Sequence, residues 1–194
     1  MTPRSLALIL SILSIALASC APAVLAPPAS WPPMSLPATS GEPATYPRDL
    51  AASPFTVFVF FAHGCPCFGM HEARLRELVG AFGARGVRFV IVDSEVGRSI
   101  ADDAEEAQKR ALPVPVFLDP GAKLAKQLGA IYATYSVVVD AQGAIRYRGG
   151  IDSDKSHLRD DRTQYLADAL ADLTAGRAPR RAESKTLGCA LQTW

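Results

Sequence analysis

The most regular hydrophobic pattern lies in the middle of the chain. Phe55–Phe61 (FTVFVFF) is an almost unbroken β-branched and aromatic run, which predicts a central strand buried on both faces. After Pro66 the period changes: Leu75, Leu78, Val79 and Phe82 recur at helical spacing, and Gly83 and Gly86 stand where such a helix would end. Val87–Asp93 (VRFVIVD) predicts a second strand. Residues 99–112 predict a helix, with Ser99 and Asp102 at capping-box spacing, Ala104, Ala107 and Ala111 on one face, and Pro113 and Pro115 as its stop.

A short strand at Val116–Leu118 and a short helix over 122–128 follow. Two further strands are expected at 135–140 and 145–148, joined by Ala141-Gln142-Gly143-Ala144, whose glycine supplies a hairpin turn. A last helix over about 163–175 would bury Tyr165, Leu166, Ala169, Leu170 and Leu173. Alternating strands and helices closed by a hairpin and a helix predict an α/β fold: a central mixed β-sheet flanked by helices.

The ends of the chain follow different patterns. Residues 1–19 carry Arg4 and then an apolar run from Leu6 to Ala18, long enough for a signal peptide and too short to span a bilayer as a helix. Leu17-Ala18-Ser19-Cys20 resembles a bacterial lipobox, which implies a diacylglyceryl group on Cys20 as the first residue of the mature chain. With Ala21 rather than Asp next, the expected location is the periplasmic face of a bacterial membrane, most simply the outer one. Residues 20–48 are proline-rich with a single acidic side chain before Arg48, Glu42, and read as a semi-rigid tether in which Trp31 and Met34 touch lipid, the domain or nothing. The domain proper would then run over 49–176, followed by a basic tail over 177–194 with Arg177, Arg180, Arg181, Lys185 and Cys189. That tail reads as solvated or as drawn to anionic headgroups.

A net charge of +1 with no basic stripe excludes nucleic acid as an expected partner. Four cysteines are too few for a disulfide scaffold and sufficient for redox or metal chemistry. Cys65 falls at the strand-to-helix junction, where the helix dipole and unpaired N–H groups favour the thiolate, so it is the candidate nucleophile. Cys67, within the first helical turn, is the candidate resolving cysteine. A Cys65–Cys67 bond across a single proline would be strained, with a reduction potential above that of thioredoxin. Cys189 is a second candidate resolver or the partner in a bond that pins the tail. His63 is a candidate proton-transfer group. A metal-binding alternative draws on Cys65, Cys67, His63, Met70 and His71 as a soft set for copper(I) or zinc. Asp93-Ser94-Glu95 and the acidic run from Asp102 to Glu106 read as solvated faces.

Phe60-Phe61-Ala62-His63-Gly64-Cys65-Pro66 resembles the strand-to-active-site turn of the thioredoxin superfamily. Leu118-Asp119-Pro120-Gly121 and Leu128-Gly129-Ala130 are similar to the insertion of its redoxin branch, the alkyl hydroperoxide reductase and thiol-specific antioxidant group. Tyr147 to Asp152 (YRGGID) and Lys185 to Cys189 (KTLGC) resemble one redoxin subgroup. The resemblance covers about residues 50–175. It implies a thioredoxin-like fold, thiol–disulfide oxidoreductase or thiol peroxidase activity on protein or small-molecule thiols and disulfides, and no organic cofactor. Three positions depart from the pattern. One residue separates the cysteines, Ala62 or Gly64 stands where peroxiredoxins carry Thr or Ser, and Thr134-Tyr135 occupies the place of the superfamily's cis-proline.

Overall fold

The structure, a computed structural model, describes residues 32–155 and 157–194. In chain order the elements are β1 (Met34–Leu36), β2 (Ala44–Tyr46), a 3-10 turn (Arg48–Ala52), β3 (Phe55–Phe61), α1 (Pro66–Gly83), β4 (Val87–Asp93) and α2 (Ile100–Arg110). They continue with β5 (Val116–Leu118), a second 3-10 turn (Pro120–Ala122), α3 (Lys123–Leu128), β6 (Ser136–Asp140), β7 (Ile145–Gly149) and α4 (Tyr165–Thr174).

A five-stranded sheet in the order β5-β4-β3-β6-β7 forms the centre. β3 runs parallel to β4, and β4 to β5, whereas β6 is antiparallel to both β3 and β7. This is the mixed sheet expected from the pattern, in the thioredoxin-like arrangement. β3 lies at its middle, with Val57 to Phe61 fully excluded from solvent. Each such side chain contributes roughly 1.5–3 kcal/mol relative to an exposed one. Phe61 packs edge-on against Phe68 at a centroid distance of 4.9 Å, which fixes α1 over the end of β3.

Helix boundaries follow their local chemistry. Ser99 caps α2, its Oγ accepting from the Asp102 N–H while the Asp102 carboxylate accepts from the Ser99 N–H, and Ala111 ends the helix in the left-handed conformation. The buried side of α2 is not the alanine face: Ala104 and Ala111 are exposed, while Asp103 is buried and Ala107 half-buried. In the β6–β7 hairpin, Gly143 takes a φ of 83° and the Asp140 carboxylate accepts from the N–H groups of Gln142 and Ala144.

The segment 32–48, expected as part of a tether, is built into the domain. Its two three-residue strands pair with each other, and Met34, Leu36 and Tyr46 are buried. Beyond β1 the chain docks on the outer edge of β5: the Thr39 N–H donates to Val116 C=O and the Leu118 N–H to Pro37 C=O. The tail covers the opposite edge, the Arg148 N–H donating to Ala182 C=O and the Ser184 N–H to Arg148 C=O. Neither edge of the sheet is left open. The basic side chains of the tail are exposed, as expected, but the tail is tied down: Arg177 and Arg180 pair with the buried Asp172, and Arg181 stacks on the Tyr165 ring. Among the described residues no helix is long and apolar enough to cross a membrane. The signal peptide, Cys20 and Trp31 lie outside the described residues.

Candidate active site

Cys65 is the N-cap of α1. The preceding turn places Gly64 at a φ of 66°, and Pro66 opens the helix, where its missing N–H costs nothing. The Cys65 sulfur accepts from the Phe68 N–H at 3.4 Å, so the first helical turn points a backbone donor at it. The thiolate of the reduced cysteine gains from that donor and from the helix dipole, as expected of a nucleophile at this junction.

In the structure Cys65 is bonded to Cys189, across a sequence separation of 124. Cys67 is buried and free. The strained Cys65–Cys67 bond expected from the spacing is therefore absent in this state; of the two candidate partners, the tail cysteine holds the bond. All three sulfurs nevertheless lie within 4.8 Å of one another.

The tail reaches Cys65 because glycine lets it. A β-carbon on Gly188 would lie 1.9 Å from the Ala133 carbonyl oxygen, and one on Gly149 or Gly150 would lie under 3 Å from the backbone of Ser184 or Lys185. These glycines belong to the two motifs that set the sequence apart. Next to them the Ala133 N–H donates to Cys189 C=O at 2.8 Å and the Leu191 N–H to Ile131 C=O. Thr134, at the place of the superfamily's cis-proline, has a φ of 69° and donates its N–H to Phe60 C=O.

The soft metal set proposed from the sequence does not come together. His71 is buried and uses both ring nitrogens, Nδ1 on Cys67 C=O at 2.6 Å and Nε2 on Asp152 at 3.1 Å. Met70 is 41 % exposed. His63 turns away from the sulfurs, its Nε2 lying 2.9 Å from Asp103 and 3.3 Å from Asp93.

Two groups of charged side chains near the site were not apparent in the sequence. Beneath α1, Arg74 pairs with Asp152 and, at 3.0 Å, with Asp154, which in turn holds Arg159. Burial opposes ionisation of both aspartates, but His71 and then Arg74 among the partners of Asp152, and Arg159 and Arg74 at Asp154, prevail and hold both carboxyls below the ordinary range. His71, Arg74, Leu75 and Leu78 share one helical stripe, a signal that could have marked Arg74 as buried. Beside His63, Asp93 and Asp103 are wholly buried rather than solvated. Burial pushes both carboxyls up, and the neighbouring Asp103 raises Asp93 further. Asp93 ends an apolar parallel strand, the place where α/β sheets present ligands, and that was the readable sign.

A cysteine capping the first helix after a central strand, with a partner sulfur brought to it, defines a thioredoxin-like thiol-redox site. Residues 29–148 match the AhpC/TSA family, and the chain belongs to that family as a thiol oxidoreductase of the redoxin type. No match is found among the curated proteins. Among solved structures the fold is similar to that of a hypothetical protein from Sinorhizobium meliloti, with a TM-score of 0.75, 18 % identity, and coverage of 89 % of this chain and 95 % of that one. An uncharacterized conserved protein from Geobacillus kaustophilus gives 0.73 at 23 % identity, covering 84 % and 89 %. Xylella fastidiosa PrxQ gives 0.56 at 13 % identity, covering 74 % and 89 %.

Proposed function

We propose that this redoxin is a membrane-anchored thiol–disulfide oxidoreductase working outside the cytoplasm, with Cys65 as its nucleophile. The observation that carries the reading is the Cys65 sulfur, capping α1 and bonded to Cys189 with Cys67 in reach. In the reducing direction the Cys65 thiolate attacks one sulfur of a substrate disulfide, forming a mixed disulfide and expelling the first substrate thiolate. The Cys189 thiolate then attacks the Cys65 sulfur, the mixed bond breaks, and the second substrate thiolate leaves. The substrate gains two electrons and the protein is left with its Cys65–Cys189 bond. In the oxidising direction the same steps run backwards. Cys67 is the third thiol, placed to take over the bond from Cys189. The lipobox-like Leu17 to Cys20 supports the anchor.

The test is turnover with trapped intermediates. Insulin reduction, or oxidation of a dithiol peptide, is expected with the wild type and is lost in Cys65→Ser. In Cys189→Ser the mixed disulfide is expected to accumulate and to be released only through Cys67. Peroxide consumption without disulfide exchange would replace this reading with a peroxidase. Retention of Cys20→Ser in the membrane fraction would remove the lipid anchor from it. The three convergent sulfurs favour one second reading, a thiolate site for copper(I) in the reduced protein, which competition with a copper(I) chelator would detect.

A further inference from the structure

We propose that His63, Asp93 and Asp103 form a binding site for a divalent transition-metal ion, with zinc as its representative. The three side chains come from separate elements, the turn before α1, the end of β4 and the first turn of α2, and converge where the parallel strands end. One ligand atom from each lies within 4.8 Å of the other two. The His63 Nε2 lies 2.9 Å from Asp103 Oδ1 and 3.3 Å from Asp93 Oδ2. Ligands about 2.0–2.2 Å from a tetrahedral zinc stand roughly 3.3 Å apart, so small side-chain shifts suffice to admit the ion.

An independent observation points to a cation. Asp93 and Asp103 are completely buried, yet Asp93 Oδ2 and Asp103 Oδ2 have no hydrogen-bond donor. One imidazole N–H cannot serve both carboxylates, and burying a carboxylate oxygen without a partner is unfavourable. A dication takes the place of the proton that burial favours on the pair and compensates both charges at once. Asp93 Oδ1 already has an outer partner, accepting from the Glu95 N–H at 2.7 Å, and Glu95 in turn accepts from the His63 N–H at 3.0 Å. Such contacts orient ligands. The charged groups around the cluster are Glu95, Asp102 and Glu106 on the acidic side and, on the basic side, Arg98, 3.7 Å from Glu95, with Arg110 and Lys109 paired to Glu106, so the negative charge offered to an ion is that of Asp93 and Asp103 themselves. The His63 side chain is 12 % exposed, giving the ion a way in. One imidazole nitrogen and two carboxylates suit zinc or manganese better than copper(I), unlike the sulfur cluster nearby.

The sulfurs must be silent in the test. The full chain carrying Cys20→Ser and Cys67→Ser, held oxidised so that Cys65 and Cys189 remain bonded, is titrated with zinc alone against a chromogenic chelator, and its thermal unfolding is followed with and without zinc. One equivalent bound per chain and a zinc-dependent rise in Tm are expected. Both should weaken, the affinity by roughly a hundredfold or more, when His63→Gln or Asp103→Asn removes a ligand, beyond the roughly 10–100-fold that outer-shell changes cost. Circular dichroism checks that each variant folds, and His63→Gln, at the partly exposed position, decides the matter if Asp103→Asn does not. No retained zinc, or equal retention in parent and His63→Gln, overturns the proposal.

Discussion

A methyl group at residue 188 would collide with the Ala133 carbonyl oxygen, which belongs to the strip of backbone that holds Cys189. Gly188→Ala is therefore expected to cost about 1–3 kcal/mol in the oxidised protein and to speed reductive opening of the Cys65–Cys189 bond, read by a time course of thiol alkylation. An unchanged rate would remove Gly188 from the tail's placement. Asp154 permits a pH experiment. Its folded-state carboxyl is held down to about 2, against 3.8 when unperturbed, because the Arg159 and Arg74 hydrogen bonds outweigh burial. A depressed folded-state value stabilises above the unfolded one, and the benefit is lost as pH falls through the folded one. The Tm difference between wild type and Asp154→Asn is thus expected to be full near pH 6 and to shrink between about pH 4 and pH 2; a constant gap would refute it. The cysteines were legible as single residues because chemistry-bearing side chains at a strand-to-helix junction stand out. Asp93, Asp103 and Asp154 were not, since a carboxylate's burial depends on partners distant in sequence.

Among the elements, α2 depends most on its first turn. It buries little apolar surface, and the reciprocal bonds of Ser99 and Asp102 close its exposed N-terminus. Ser99→Ala is expected to destabilise by about 1 kcal/mol, measured as a shift of the urea midpoint at constant slope. This cap was readable at its spacing of three, as were β3, β4, β6 and β7, whose apolar runs and turn glycine announce themselves locally, and the short β5, whose Val116 to Leu118 stands apolar between Pro115 and Pro120. The β1–β2 hairpin was not readable. Three-residue strands are too short to show alternation, and prolines at 32, 33, 37, 43 and 47 made them resemble a spacer. The inward face of α2 was misjudged for a related reason: alanines match a helical stripe anywhere, whereas α2 lies against β5 with Asp103 brought to Asp93 at the end of β4.

At the scale of the whole molecule, the Cys65–Cys189 bond joins the centre of the fold to its last segment. A closure of this span removes on the order of 4–5 kcal/mol of chain entropy from the unfolded state. Reduction is therefore expected to lower the unfolding midpoint by several degrees while leaving the far-ultraviolet spectrum unchanged, because the sheet does not depend on the bond. Equal midpoints would mean that the tail stays docked by Asp172 and the Ala133 strip alone. The route of that tail has a consequence for handling the protein. Residues 182–184 seal the β7 edge, so a reduced chain whose tail peels away offers a bare strand to its neighbours. Turnover and self-association then compete for one surface, and concentrated reduced stocks should precipitate sooner than oxidised ones, visible as light scattering over hours.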